Sequence, residues 1–92
     1  MKAKLIYRVK EAYLRGVIEA VIWEVPEPVQ PSVHGIKYRL VYLVDEKRLV
    51  GYDNERGKGD HKHLRGVQSS YEFTVVPTLL RDFLRDIEEV ES

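Results

Sequence analysis

Two histidines one residue apart, His61 and His63, close the stretch Gly-Tyr-Asp-Asn-Glu-Arg-Gly-Lys-Gly-Asp-His-Lys-His at 51 to 63. Imidazole titrates at about pH 6.5, so a pair of rings supplies one base and one acid at neutral pH. In extended chain residues i and i+2 project to the same side, which would bring these rings together. Arg56 can hold a phosphate by a planar two-point contact and Lys58 as a point charge. Gly57 and Gly59 let the backbone approach an anion closely. The set suits cleavage of an RNA phosphodiester, in which a base takes the 2′-hydroxyl proton, an acid protonates the leaving oxygen, and cations stabilise the charge building on phosphorus. His63 is the expected base and His61 the acid, or the reverse, with Asp60 or Asp53 orienting a ring.

That scheme requires no metal and no other cofactor. Asp53, Asp60, His61 and His63 could instead bind a divalent ion, but ligands confined to one mobile loop rarely make a preorganised site. Tyr52 either packs partly buried or stacks on a base. Asp53 either bonds turn amides or serves the site. His34, just before Gly35, reads as a turn histidine, and Trp23, central in an apolar run, reads as core. Histidines beside surface charges are often silent; what weighs against silence here is the density of site-forming residue types in one connector.

Those residues need a scaffold, and composition bounds it. Ninety-two residues with no cysteine make one domain, residues 1–92, without disulfides or thiolate metal sites. No apolar run is long enough to span a bilayer, and the start of the chain lacks the pattern of a secretory leader, so a cytoplasmic protein with no membrane partner is expected. Charged residues reach 33%, while amides are confined to Asn54, Gln30 and Gln68, a bias typical of thermophilic sources. The overall charge is zero but unevenly spread. Residues 54–66 carry net +2, rising to +4 if both histidines protonate, whereas 81–92 carry −3. One pole attracts phosphate and the other repels it.

Alternation over Ala3 to Val9 predicts an edge strand, and the apolar run Val17 to Val25 a central one. Three prolines between Pro26 and Ser32 exclude strand and helix there. Lys37 to Val44 and Arg48 to Asp53 flank a short polar turn and predict a hairpin. The connector at about 51–66 would leave this hairpin as the site loop. Tyr71 to Thr74 reads as a brief strand, with Thr74 as N-cap of a helix at about 75–90. In that helix Leu79, Leu80, Phe83, Leu84, Ile87 and Val90 form one apolar stripe, Arg81, Asp82, Arg85, Asp86, Glu88 and Glu89 face water, and Pro77 sits in the first turn. The expected fold is α+β: an antiparallel sheet of four to five strands with one long C-terminal helix packed on one face.

The run Leu-Val-Gly-Tyr-Asp-Asn-Glu-Arg-Gly-Lys-Gly-Asp-His-Lys-His at 49 to 63 resembles the hallmark of the TumE family of small toxins. The flanks agree: Val-Ile-Trp-Glu-Val-Pro at 21 to 26, His34 with Lys-Tyr-Arg-Leu at 37 to 40, and Tyr-Glu-Phe-Thr at 71 to 74 ahead of a Leu-Leu-Arg-Asp-Phe helix. The resemblance implies a type II toxin encoded beside a cognate antitoxin that usually binds DNA. On the motif positions it implies a site of Tyr52, Asp53, Asn54, Arg56, Lys58, Asp60, His61 and His63. Chemistry then divides the set into catalytic His61, His63, Asp60 and Tyr52, and substrate-binding Arg56, Lys58, Asn54 and Asp53. The leading expectation is a metal-independent endoribonuclease with RNA as substrate. The rival from another class is a non-catalytic protein that binds nucleic acid or a target protein through the basic loop. A nucleotide-transferring toxin would need a nucleotide motif that the chain does not offer. The proline-rich arm and the sheet edges are ready contacts for the antitoxin, and association with a second copy as a homodimer is left open.

Overall fold

The computed structural model describes residues 2–92; Met1, where the stretch read for a leader begins, lies outside them. Among the described residues six strands run as an antiparallel meander, β1 (Lys4–Tyr13), β2 (Gly16–Glu24), β3 (Ile36–Val44), β4 (Lys47–Asp53), β5 (His61–Leu64) and β6 (Val67–Ser70), each bonded to its neighbour in the chain. The helix α1 (Val76–Glu91) then crosses one face, nearest β4. The α+β architecture is the expected one, but the sheet has six strands rather than four to five.

The difference lies in residues 51 to 74. Less than half of the expected loop is strand: Gly51 to Asp53 finish β4 and His61–Leu64 returns as β5, while 54–60 stays irregular. Arg65 and Gly66, at φ 49° and 84°, make the two-residue turn whose twist suits a hairpin, and β6 follows. Tyr71 to Thr74 is irregular chain and not a strand. The His-Lys-His-Leu composition of β5 disguises it, because both its faces meet polar partners and no apolar alternation marks it.

Alternation sorts the side chains. Ile18, Ala20 and Ile22 of β2, Tyr38, Leu40 and Tyr42 of β3, and Val50 and Tyr52 of β4 face α1, which returns Leu79, Phe83 and Ile87. Leu80 and Val90 are half-buried, and Leu84 lies exposed at the rim. Asp86, expected in water, is buried instead: the Tyr52 hydroxyl donates to it and Lys62 Nζ lies 3.4 Å away. The carboxylate is satisfied within the core, which is what permits its burial. The helix is preceded by Val75 as N-cap with no side-chain cap, so Thr74 does not fill that role. Pro77, in the first turn as expected, removes one donor that would otherwise need a partner.

Among the described residues one helix covers one face, and the other carries none: it is open at Arg8, Lys10, Lys37 and Arg39 and buried at Val41, Asp53 and His61. Trp23, expected in the core, alternates onto this open face, half-buried, between Leu5 and Lys37. No helix is long and apolar enough to cross a membrane among the described residues. Phe83, 2% exposed at the centre of the helix contact, should dominate its docking: Phe83→Ala is expected to lower the unfolding free energy by about 3–5 kcal/mol, read from urea denaturation.

Candidate functional site

Strand pairing places the chemistry. One transverse row of the open face runs Arg8, Val21, Arg39, Asp53, His61, Ser70, and the next runs Lys10, Glu19, Val41, Gly51, His63, Gln68. Directly paired residues project to the same side of a sheet, so Asp53, His61 and His63 share this face, opposite α1. The two imidazoles meet edge to face with centroids 5.0 Å apart.

His61 is fixed on both sides. Its Nδ1 lies 2.9 Å from the Gly59 carbonyl oxygen, which can only accept, so Nδ1 donates and Nε2 is the nitrogen turned to Asp53. Nε2 approaches Asp53 Oδ1 at 2.6 Å, yet that oxygen is the buried side-chain polar atom left with no aligned hydrogen-bond donor among the described residues. Distance and alignment disagree here. The approach is therefore a close electrostatic contact rather than a directed hydrogen bond. His63 is half-buried, and burial first, then the positive charge of Arg48, holds its imidazole below the ordinary range.

Gly51 explains how Arg48 gets there. A β carbon at Gly51 would lie 2.8 Å from Arg48 Cδ, so the missing side chain makes room for the arginine stem beside His63, its partner in register. Arg48 was not among the expected site residues; its signal is the bulge at Leu49, where pairing shifts from Tyr42–Val50 to Leu43–Arg48 and turns Arg48 to the open face. Lys58 is exposed and 3.6 Å from Glu55, and Arg56 lines a hollow with Lys37 and the start of the arm.

The remaining expected residues stand elsewhere. Tyr52 is fully buried on the helix side, with Tyr71 packed edge-on at 4.8 Å. Asn54, 1% exposed, accepts from Tyr38 N at 3.0 Å and donates to the Ile36 carbonyl at 2.7 Å, so its amide continues the β3–β4 ladder one step past Asp53. Asp60 accepts from the Ser32 hydroxyl through Oδ1, and from His34 Nε2 and the Tyr38 hydroxyl through Oδ2, both at 2.7 Å. The His34 ring stacks on Phe73 at 4.2 Å and its Nδ1 accepts from Ile36 N. This knot ties the proline-rich arm to the 54–60 loop, aided by Gly57 N donating to the Gln30 carbonyl at 2.8 Å. Gly59, at φ 75°, presses against Pro31 where a β carbon would lie 3.2 Å from the ring. The arm is therefore part of the site's frame.

The family model described as Toxin TumE matches residues 2–91, nearly the whole chain. Comparison with curated proteins and with solved structures returns no match.

Burial alone would push the Asp60 carboxyl up, but donors from Ser32, Tyr38 and His34 overcome it and hold the group below its ordinary 3.8. A carboxylate lowered on folding contributes stability that is complete above its unfolded value and is lost as pH falls through the folded one. Urea midpoints should therefore drop on acidification below about pH 4, and Asp60→Asn should lower the neutral-pH midpoint while flattening that acid limb.

Proposed function

This chain belongs to the TumE toxin family, and we propose that it arrests growth as an endoribonuclease whose substrate lies across the open face of the sheet. The observation that carries the proposal is the meeting of His61 and His63, 5.0 Å apart, beside Arg48. His63, kept neutral by burial and by Arg48, takes the 2′-hydroxyl proton. His61, buried and held by the Gly59 carbonyl, carries its acid proton on Nε2 against Asp53 and delivers it to the leaving oxygen once the substrate displaces that contact. The bond between phosphorus and the 5′-oxygen breaks as the bond to the 2′-oxygen forms, and no metal enters this scheme. Arg48 and Lys58 bear the extra phosphorane charge, with Arg56 at the rim.

The rest of the face suits a polyanion. Arg8, Lys10, Lys37 and Arg39 project from it, all exposed, against a half-buried Glu19. Strands spaced about 4.8 Å apart put Arg8, Arg39 and His61 on one line that a phosphate backbone can follow. Trp23 on the same face offers a flat surface for an unpaired base. A cognate antitoxin is the protein partner that toxin-family membership supports, and it would neutralise this face by covering it.

His61→Ala and His63→Ala should each slow cleavage of a single-stranded RNA about 10²- to 10⁴-fold, and the double substitution should relieve growth arrest. Arg48→Ala should weaken RNA binding and flatten its salt dependence by about one phosphate contact. Purified protein that cleaves no RNA under any metal condition, together with growth arrest that survives the double substitution, would sink the proposal.

A further inference from the structure

We propose that Asp53, His61 and His63 are also the ligands of a site for one divalent transition ion of the Zn2+ class. The inference rests on the open-face site described above but asks a separate question of it. Two imidazole nitrogens and one carboxylate oxygen all lie within 4.8 Å of one another. A tetrahedral ion with bonds of about 2.0–2.1 Å holds its ligands about 3.3 Å apart. Closure on an ion therefore needs a rotation of half-buried His63 and a small parting of Asp53 from His61.

Two further observations point to a cation here. Asp53 is 6% exposed, and its Oδ1 has no aligned hydrogen-bond donor. A buried acceptor in that condition is costly, and a positive charge relieves it. His61, meanwhile, is arranged as metal-bound histidines are: Nδ1 donates to a backbone carbonyl, which fixes the ring and turns the Nε2 lone pair toward the carboxylate. A neutral nitrogen lone pair facing a carboxylate oxygen at 2.6 Å needs a cation to screen it, either a proton or an ion.

The donor set narrows the ion. Imidazoles favour zinc, cobalt, nickel and similar ions, whereas magnesium and calcium prefer oxygen ligands alone. Asp60 takes no part, because Ser32, His34 and Tyr38 occupy its oxygens. Three protein ligands leave a fourth position open at the exposed edge of His63. Binding would release any proton held between His61 and Asp53, and it would occupy the lone pairs that the cleavage scheme uses. Ion binding and metal-free cleavage therefore exclude each other, and zinc inhibits the toxin.

The test uses the full chain freed of metals by chelation. Calorimetric titration with zinc should give one ion per chain, and zinc at about one hundred times Kd should raise Tm by several degrees, whereas magnesium should leave it unchanged. Cobalt at the site should show the visible absorption of a four-coordinate ion. His63→Gln, a change at a half-buried position, should remove the shift and the absorption. No binding by the wild type, or an equal shift in His63→Gln, overturns the site. RNA cleavage that persists in chelator with no zinc binding overturns this inference alone. Zinc binding at the triad with cleavage that requires zinc upholds the ion site and overturns both the metal-free scheme and the predicted inhibition.

Discussion

The pairing of Asp53 with His61 across β4 and β5 is the constraint on which the open face depends. A slip of β5 by one residue against β4 would turn His61 and His63 toward the helix, away from Asp53, and bring Lys62 out beside it. Several devices oppose the slip. Asn54 continues the ladder with its side chain, Asp60 ties the returning chain to the arm, and the Arg65–Gly66 turn sets where β5 must stop. None of these groups touches the two imidazoles, yet each fixes their position. Irregular backbone between paired strands is held as firmly as its polar contacts allow, and here those contacts are many.

The helix side makes the opposite use of polar groups. Tyr52 donates to Asp86, Tyr71 donates to Asp82 at 2.7 Å, and Tyr42 donates to Glu91 at 2.6 Å. Two tyrosines of the sheet and one of the segment after β6 thus meet three carboxylates of one helix. Apolar packing of Leu79, Phe83 and Ile87 supplies the attraction, which is non-directional. The hydroxyl bonds supply the direction, because they form only in one rotation and one axial position of the helix. Burial, followed by the neighbouring carboxylates, pushes the phenols of Tyr52 and Tyr71 up, so neither ionises near neutrality. These bonds stay uncharged on the donor side throughout the physiological range.

The helix and the β3–β4 hairpin are legible in the sequence because apolar residues recur there with the period of the element. Pro77 and the hairpin turn at Asp45 and Glu46 follow from local chemistry as well, although both turn residues adopt positive φ without glycine. What stays hidden is set by contacts distant in the chain. The strand at His61 to Leu64 carries no apolar rhythm, since Asp53 and Asp86 lie on its two sides. Asp86 looks solvated until Tyr52 is seen beside it. Trp23 looks central until the helix is known to cover a single face. For the candidate site, residue types at 51 to 63 locate the neighbourhood, but only the register separates Asp53, His61 and His63, which converge, from Tyr52, Asn54 and Asp60, which hold the frame.

One consequence follows from how charge divides between the two sides. The acidic residues of α1, among them Glu88, Glu89 and Glu91, lie behind the sheet, while Arg8, Lys10, Lys37, Arg39 and Arg48 lie in front. With no net charge to act on, a distant polyanion exerts little pull on the molecule as a whole, but acids gathered behind the sheet and cations in front let it exert a torque. Encounter would thus begin with rotation, and the chain would arrive already facing the right way.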